Sequence, residues 1–450
     1  MKFQFIINTL KERMADASFL PLLLLGLIGF AVFVAIIWRY GYGILMAMPF
    51  ILVGLQITKS DLINGLALAG RFILILFLVA YAFFNRKNRV RFSPAAFFLL
   101  LIPVAMILNS GRAYEPLGAF SGGVFFLLMF LGIVIGGQKI LADSRGRSTF
   151  VITLSFFAII MACVQIPYLG TSSGRLEGIF ENVVGFMTVG TMGVVILTWA
   201  AMNQRVWSFK FFFYGMFAVL TLILLVLTAG RTALATVVIG IFVIIARKVR
   251  RNVLIILIFS AILAPIGLKI LTSFPGFEQV KNKLFTQESS GREYLFSLAW
   301  NEISQKPLFG WGTDSAFVKG QIEVGTQYHN SYLMFAVDHG IPFGIMVLIL
   351  FLWLPVRGLL LMRKCPTEEM KNMANLSSSF LVGYTFANFL GGGFHAITGM
   401  IIVSTAIALQ EGVRAELLSS CEHEPSGEEF FSGGPLGVDN YSGIPYPPQT

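Results

Sequence analysis

The sequence predicts an all-α, polytopic membrane protein with about twelve spans and one long polar loop. Three observations carry this. Of the 450 residues, 56% are hydrophobic and 12% charged, against about 25% charged in a soluble domain. Many apolar runs reach about 18 residues, the length needed to cross a bilayer. The runs are continuous rather than alternating, so their backbones are satisfied within helices and not in a β-barrel. The net charge of +10 is not a nucleic-acid footprint, because the Lys and Arg residues sit in short links between apolar runs, where they set orientation. Cys163, Cys365 and Cys421 have no paired spacing, so neither a disulfide framework nor a metal site follows. The first apolar run, 18–38, is longer than a signal-peptide core and lacks a small-residue cleavage site.

Taken in order, residues 1–17 form a short amphipathic lead with Lys2, Lys11 and Arg13. Spans are expected at 18–38, 42–57, 62–84, 93–108, 118–137, 149–168, 184–202, 211–228, 232–246, 253–272, 340–356, 374–391 and 396–410. This divides the chain into a transmembrane block at 18–272, an outer loop at 273–339 and a second block at 340–410. The tail 411–450 is acidic, then rich in Gly, Pro and Ser, and is expected to be disordered and cytoplasmic. The clearest basic links hold Arg86, Lys87, Arg89 and Arg91, and Arg247, Lys248, Arg250 and Arg251. Weaker ones hold Arg145 and Arg147, Arg205 and Lys210, and Arg363 and Lys364. With all of them in the cytoplasm, 109–117, 169–183, 273–328 and 392–395 face outward. Before residue 85, two crossings keep the basic N terminus inside. The stretch 42–57, short and interrupted by Pro49, is the one set aside; counting it gives thirteen spans.

The polar island is 289–344, which ends in a His-Asn pair before the chain re-enters lipid. Its segment GREYLFSLAWNEI has helical apolar spacing at Leu295, Phe296, Leu298, Ala299 and Ile303. Arg292 opens that helix, a poor place for a cation unless an anion is present. The competing reading is a solvated surface arginine. His329 has a side chain that titrates near neutral pH and suits general-base work, or it is structural. Arg231 lies at the outer junction of two spans, where an arginine is either functional or snorkelling. Arg175, with Asn182 following, is either a ligand contact at a helix entrance or an ordinary loop residue. Arg112 is a weaker case. For Arg71, within the run 62–84, pairing with Asp61, snorkelling and cavity lining are all open. His339 and His395 are ligands or interface residues. There is no HExxH spacing and no DxD pair in the outer loop, so a metal is not supported, and any phosphate must be neutralised by arginines.

The order TAGRTA, then GREYLFSLAW with KPLFGWG, then HNSYLMFAVDHGIPFG resembles the O-antigen ligase / Wzy polymerase superfamily. GRLEGIFENV is similar to a further stretch of that family. The resemblance covers roughly residues 170–345. It implies a GT-C-like bacterial inner-membrane glycosyltransferase, without metal or other cofactor. Such an enzyme moves a glycan from undecaprenyl diphosphate to a hydroxyl acceptor, lipid A core or another glycan, on the periplasmic side with inversion. It implies that Arg231 and Arg292, with Arg175 as a further contact, hold the diphosphate and that His329 activates the acceptor. Asn330, Asn182, Tyr328, Trp300 and Trp311 are then possible substrate contacts; Tyr294 and the other aromatics also suit a membrane interface. The ligase pattern asks for a small residue three positions after Gly340. Phe343 stands there and Gly344 follows, which leaves ligase and polymerase both open. A protein oligosaccharyltransferase shares the donor site. A transporter of lipid-linked saccharide explains the spans and outward arginines but not the loop.

Overall fold

The computed structural model describes residues 39, 41–56, 58–85, 93–113, 115–170, 176–180, 183–247, 269, 272, 277–285, 292–313, 328, 330–390 and 397–422. The described residues form an all-α membrane fold with no named strand. Its helices are α1 (Gly43–Gln56), α2 (Asp61–Phe84), α3 (Pro94–Leu108), α4 (Pro116–Leu141), α5 (Ser144–Gln165), α6 (Val183–Met202) and α7 (Phe209–Leu227). These are followed by α8 (Arg231–Arg247), α9 (Phe277–Phe285), α10 (Arg292–Gln305) and α11 (Ser331–His339). The last three are α12 (Ile341–Lys364), α13 (Glu368–Leu390) and α14 (Ile397–Glu422).

Helix starts follow local chemistry. Ser60, Ser93 and Ser208 cap α2, α3 and α7, each accepting from a backbone N–H three residues on. Helix α4 carries a π-helical stretch at Phe130–Gly136. There Gly132 and Gly136 lie against the backbone carbonyls of Ile75 and Leu78 on α2, too close for a larger side chain to fit without a shift. Small residues let two membrane helices approach at backbone distance. Helix α14 is the centre of the bundle. Every residue from 399 to 413 is buried, as expected of a helix enclosed on all sides.

Among the described residues, Lys139, Arg147, Arg247, Arg357 and Arg414 lie at one end of the bundle. The Lys139 ammonium donates to Ala82 O (2.6 Å) and to Asn85 O, capping the last carbonyls of α2. Arg147, fully buried, reaches Glu369 (3.0 Å), Glu416 (2.7 Å) and Leu141 O (2.9 Å). Arg247 pairs with Glu368 and Asn372. Glu411 meets Ser93, Arg357 and Arg414. Each basic group thus finds a carboxylate or a helix end, which fixes which helix termini share this side. Glu411 also explains why α14 runs to Glu422, past the boundary expected at residue 410. Residues 411–422 are helix here, not disordered tail, with Glu411 and Glu416 ion-paired within the bundle.

Helices α1 to α8 and α12 to α14 run between this basic end and the opposite one. The stretch 42–57, set aside from the count, does so as α1. At its start Gly43 lies against the Gly146 carbonyl, and Arg39 O accepts from Arg145 (2.8 Å). At its far end Thr58 bridges Phe180, and Lys59 N donates to Ile179 O (2.9 Å). Pro49 is accommodated within the helix. The expected span 18–38 lies outside the described residues, as does 253–272 apart from residues 269 and 272. By length and composition alone, α2, α4, α5, α7 and α12 are long and apolar enough to cross a membrane. Arg71, inside α2, does not pair with Asp61. Its guanidinium bonds to Gln56 and lies over the rings of Phe72 (5.7 Å) and Phe125 (5.3 Å).

Arg147→Ala is expected to destabilise the fold by about 1–3 kcal/mol, less than a fully buried pair because its carboxylate partners stay partly exposed. A lower thermal midpoint in detergent, recovered in part by Arg147→Lys, is the expected measurement; an unchanged midpoint overturns it.

Candidate functional site

The opposite end is organised by a break in a helix. Helix α11 ends at His339 and α12 begins at Ile341, with Gly340 between them. Such a break leaves carbonyls and N–H groups without intrahelical partners. The KPLFGWG stretch supplies them. Trp311 N donates to Val337 O (2.8 Å) and Gly312 N to Asp338 O (2.9 Å), while Pro307 O accepts from Ile341 N (2.7 Å). One loop therefore closes the end of α11 and the start of α12. Gly310 (φ 65°) and Gly312 (φ 89°) are in the left-handed region, and a Cβ would strike the backbone of Asp338 at the first and of Arg112 at the second. Asn109 joins the clamp. Its amide nitrogen donates to Asp338 O (2.7 Å) and lies 3.2 Å from both Phe309 O and His339 Nδ1. Arg112 stacks on the Phe309 ring at 5.0 Å.

The start of α11 is held as firmly. Asn330 caps it, its Oδ1 accepting from Tyr332 N (3.0 Å) and Leu333 N (3.1 Å). The same amide donates to Phe389 O on α13 (3.3 Å). Ser331 Oγ donates to Asn388 Oδ1 (2.9 Å), and Tyr332 Oη to Thr385 O (3.2 Å). Asn330 thus spends its amide on the fold.

Arg231 is the exposed first residue of α8. Its height is fixed by the antiparallel register of α8 on α13. Arg247 bonds to Asn372, Gly240 faces Ser379, and Thr236 faces Gly383. Five residues further along each helix stand Arg231 and Asn388. Arg231 is therefore level with the residue that grips Ser331. The turn before Arg231 is also tied to the loop carrying Arg175, since Leu176 N donates to Leu227 O (3.0 Å). That loop packs Gly178 against the buried Gln165 side chain.

Among the expected site residues, His329, Arg175 and Asn182 lie outside the described residues. Arg292 is the first residue of α10, as its sequence spacing predicts. Trp311 and Tyr328 are corrected. They are 7% and 0% exposed and form a small core with Ala299, Ile303, Met334 and Val337. Trp311 further donates to Glu302 O (3.0 Å) and lies under the Lys306 ammonium at 3.9 Å. Neither ring face is open to a sugar. Burial, with the charges of Glu302 and Asp338, pushes the Tyr328 phenol up from 10, so it stays protonated. Trp300 and Tyr294 are 65% and 64% exposed and remain open to a ligand or to lipid. Phe343, the departure from the ligase pattern, packs on His339 (5.0 Å) and Phe335 (5.8 Å). Sequence reading did not single out Asn109 or Asn388; an asparagine at a span end has no signature until its partners are known.

Residues 216–352 match the family model Wzy_C, described as O-antigen ligase. The match runs from the middle of α7 through the first half of α12, including positions 231, 292 and 329. It bears out the resemblance read from the ordered motifs. Among curated proteins, none matches the chain. A solved structure, described as "Structural coordination of polymerization and crosslinking by a peptidoglycan synthase complex", aligns with a TM-score of 0.42 and 15% identity. The alignment covers 73% of this chain and 98% of that one; at that likeness it says nothing of chemistry.

His339 lies in α11, too short to cross the membrane. Burial lowers its pKa from 6.5 to about 4, so it is neutral at pH 7. Because the unfolded chain binds the proton more readily, this residue's contribution to stability is present above 6.5 and lost as pH falls toward 4. The expected loss is about 1.4 kcal/mol for each pH unit across that window. Thermal midpoints measured from pH 7 to 5 should fall, and fall less in His339→Gln; equal slopes in both proteins overturn the assignment.

Proposed function

We propose that this protein is a membrane glycosyltransferase of the O-antigen ligase type. It transfers a glycan from undecaprenyl diphosphate to a hydroxyl of lipid A core or of another surface glycan. The broader statement, a membrane enzyme that ligates or polymerises glycans, follows from the family match and the helical bundle. The finer reading rests on one observation above the others. Arg231 opens α8 at the height of Asn388, which accepts a hydrogen bond from Ser331, two residues after position 329. This supports a site shared between the loop and the membrane helices.

In this mechanism the acceptor hydroxyl attacks the anomeric carbon from the face opposite the diphosphate. The bond from that carbon to the phosphate oxygen breaks, its electron pair leaves with undecaprenyl diphosphate, and the anomeric configuration inverts. His329 takes the hydroxyl proton. Arg231 and Arg292, with Arg175, hold the diphosphate as its charge grows. Both Arg231 and Arg292 begin helices, where a cation opposes the helix dipole and an anion is favoured. A diphosphate would draw on both the guanidinium charge and the helix-start N–H groups. The reaction is placed at the periplasmic face of a bacterial inner membrane and needs no metal. Asn182 and Trp300 are retained as substrate contacts.

The second reading is a repeat-unit polymerase, whose acceptor is another lipid-linked glycan. Phe343, where the ligase pattern has a small residue, favours it. Purified protein given an undecaprenyl-diphosphate-linked oligosaccharide and lipid A core distinguishes the two. Glycan on lipid A core supports ligation, longer lipid-linked chains support polymerisation, and no bond transfer points to a transporter. His329→Ala is expected to abolish release of undecaprenyl diphosphate. Arg231→Ala is expected to slow it about 100–1000-fold, with Arg231→Lys restoring only part because the bidentate geometry is lost. Full turnover by His329→Ala removes the general base from the mechanism.

A further inference from the structure

A catalytic residue at the mouth of a loop is only as well placed as the backbone that carries it. The segment after His329 is held by three contacts to one turn of α13. These are Asn330 Nδ2 to Phe389 O (3.3 Å), Ser331 Oγ to Asn388 Oδ1 (2.9 Å) and Tyr332 Oη to Thr385 O (3.2 Å). The Asn388–Ser331 bond alone joins two side chains, and both residues are buried, at 0% and 1% exposure. Asn388 is itself oriented, its Nδ2 donating to Tyr384 O (2.8 Å). With that donor engaged, its oxygen is left to face Ser331. The α8–α13 register sets Asn388 level with Arg231.

We infer that Asn388 is a positioning residue, which holds the Asn330–Ser331 turn level with Arg231. The inference rests on the proposed reaction, in which position 329 carries the base and position 231 a donor contact. Asn388 touches neither substrate nor the reacting atoms. It acts through Ser331, by keeping the loop end of the site in step with the helix end. Its loss lets the turn shift without removing either reacting side chain. An error of about 1 Å in the placement of a reacting group costs on the order of 100-fold in rate.

The test uses the full-length protein in detergent with the undecaprenyl-diphosphate-linked oligosaccharide and lipid A core. For Asn388→Ala, kcat is expected to fall about 10–100-fold while the KM for the lipid-linked oligosaccharide stays within about threefold. Ser331→Ala should fall by a similar factor, and the double variant no further than the worse single one, since both remove the same bond. Asn388→Asp should recover most of the rate. A protonated acid there still accepts from Ser331 and donates to Tyr384 O. Hydrogen exchange at the Tyr332 and Leu333 amides should quicken in Asn388→Ala, a readout independent of turnover. Where Asn388→Ala does not fold, Ser331→Ala, which removes a single oxygen, carries the same test. Unchanged kcat, losses that multiply in the double variant, or an Asn388→Asp as slow as Asn388→Ala each overturn the inference. Wild-type protein that releases no undecaprenyl diphosphate instead sinks the reaction and the catalytic half of the inference, and the exchange result then decides the hold on the turn alone.

Discussion

The opposite end of this bundle depends on how the break between α11 and α12 is closed. Unpaired carbonyls and N–H groups are costly near a membrane, where water is scarce. Here the loop 306–312 satisfies both sides of the break, through Trp311 N, Gly312 N and Pro307 O. Asn109 adds a third element from the end of α3. The clamp needs two residues with positive φ in contact with other backbone, and glycines occupy both places. Because the same loop is rooted in α10 and packs Trp311 beneath Lys306, the position of α10 follows from that of α11.

The basic end works by a different balance. Arg147, Arg247 and Arg357 are each matched by a carboxylate from another helix. These pairs tie α5, α8 and α12 to α13 and α14. Their net contribution to stability is modest, because pairing must first offset the cost of burying Arg147 and Glu411. Their contribution to arrangement is larger, since a helix that slid by one turn would leave a charge unmatched. The α8–α13 register set by Arg247 and Asn372 is the same register that fixes Arg231 at the far end. The two ends are therefore coupled through a rigid pair of helices, and the candidate site inherits its spacing from ion pairs on the other side of the bundle.

Side chains that sequence reading grouped as candidates divide into two kinds. Asn330, Trp311 and Tyr328 are spent on capping and packing. Arg231 and Trp300 are exposed at helix positions facing outward from the core. The division was not visible beforehand because polar and aromatic residues at a membrane boundary serve both ends. An asparagine after a histidine reads equally as a ligand and as a cap, and only the direction of its amide separates them.

Composition and run length by themselves determined the all-α membrane class, and the spacing of apolar residues determined most helices to within a few residues. The ordered motifs carried the resemblance that the family match over residues 216–352 bears out. Those properties are local or additive, so they survive in a linear string. What tertiary structure decided was pairing. It decided that 42–57 runs from end to end, because Gly43 and Thr58 find partners at opposite ends. It decided that residues 411–422 belong to the bundle, because Glu411 meets Arg357 and Ser93. It decided that Arg231 stands level with Asn388, because register between distant helices is a sum of contacts that no single stretch of sequence contains.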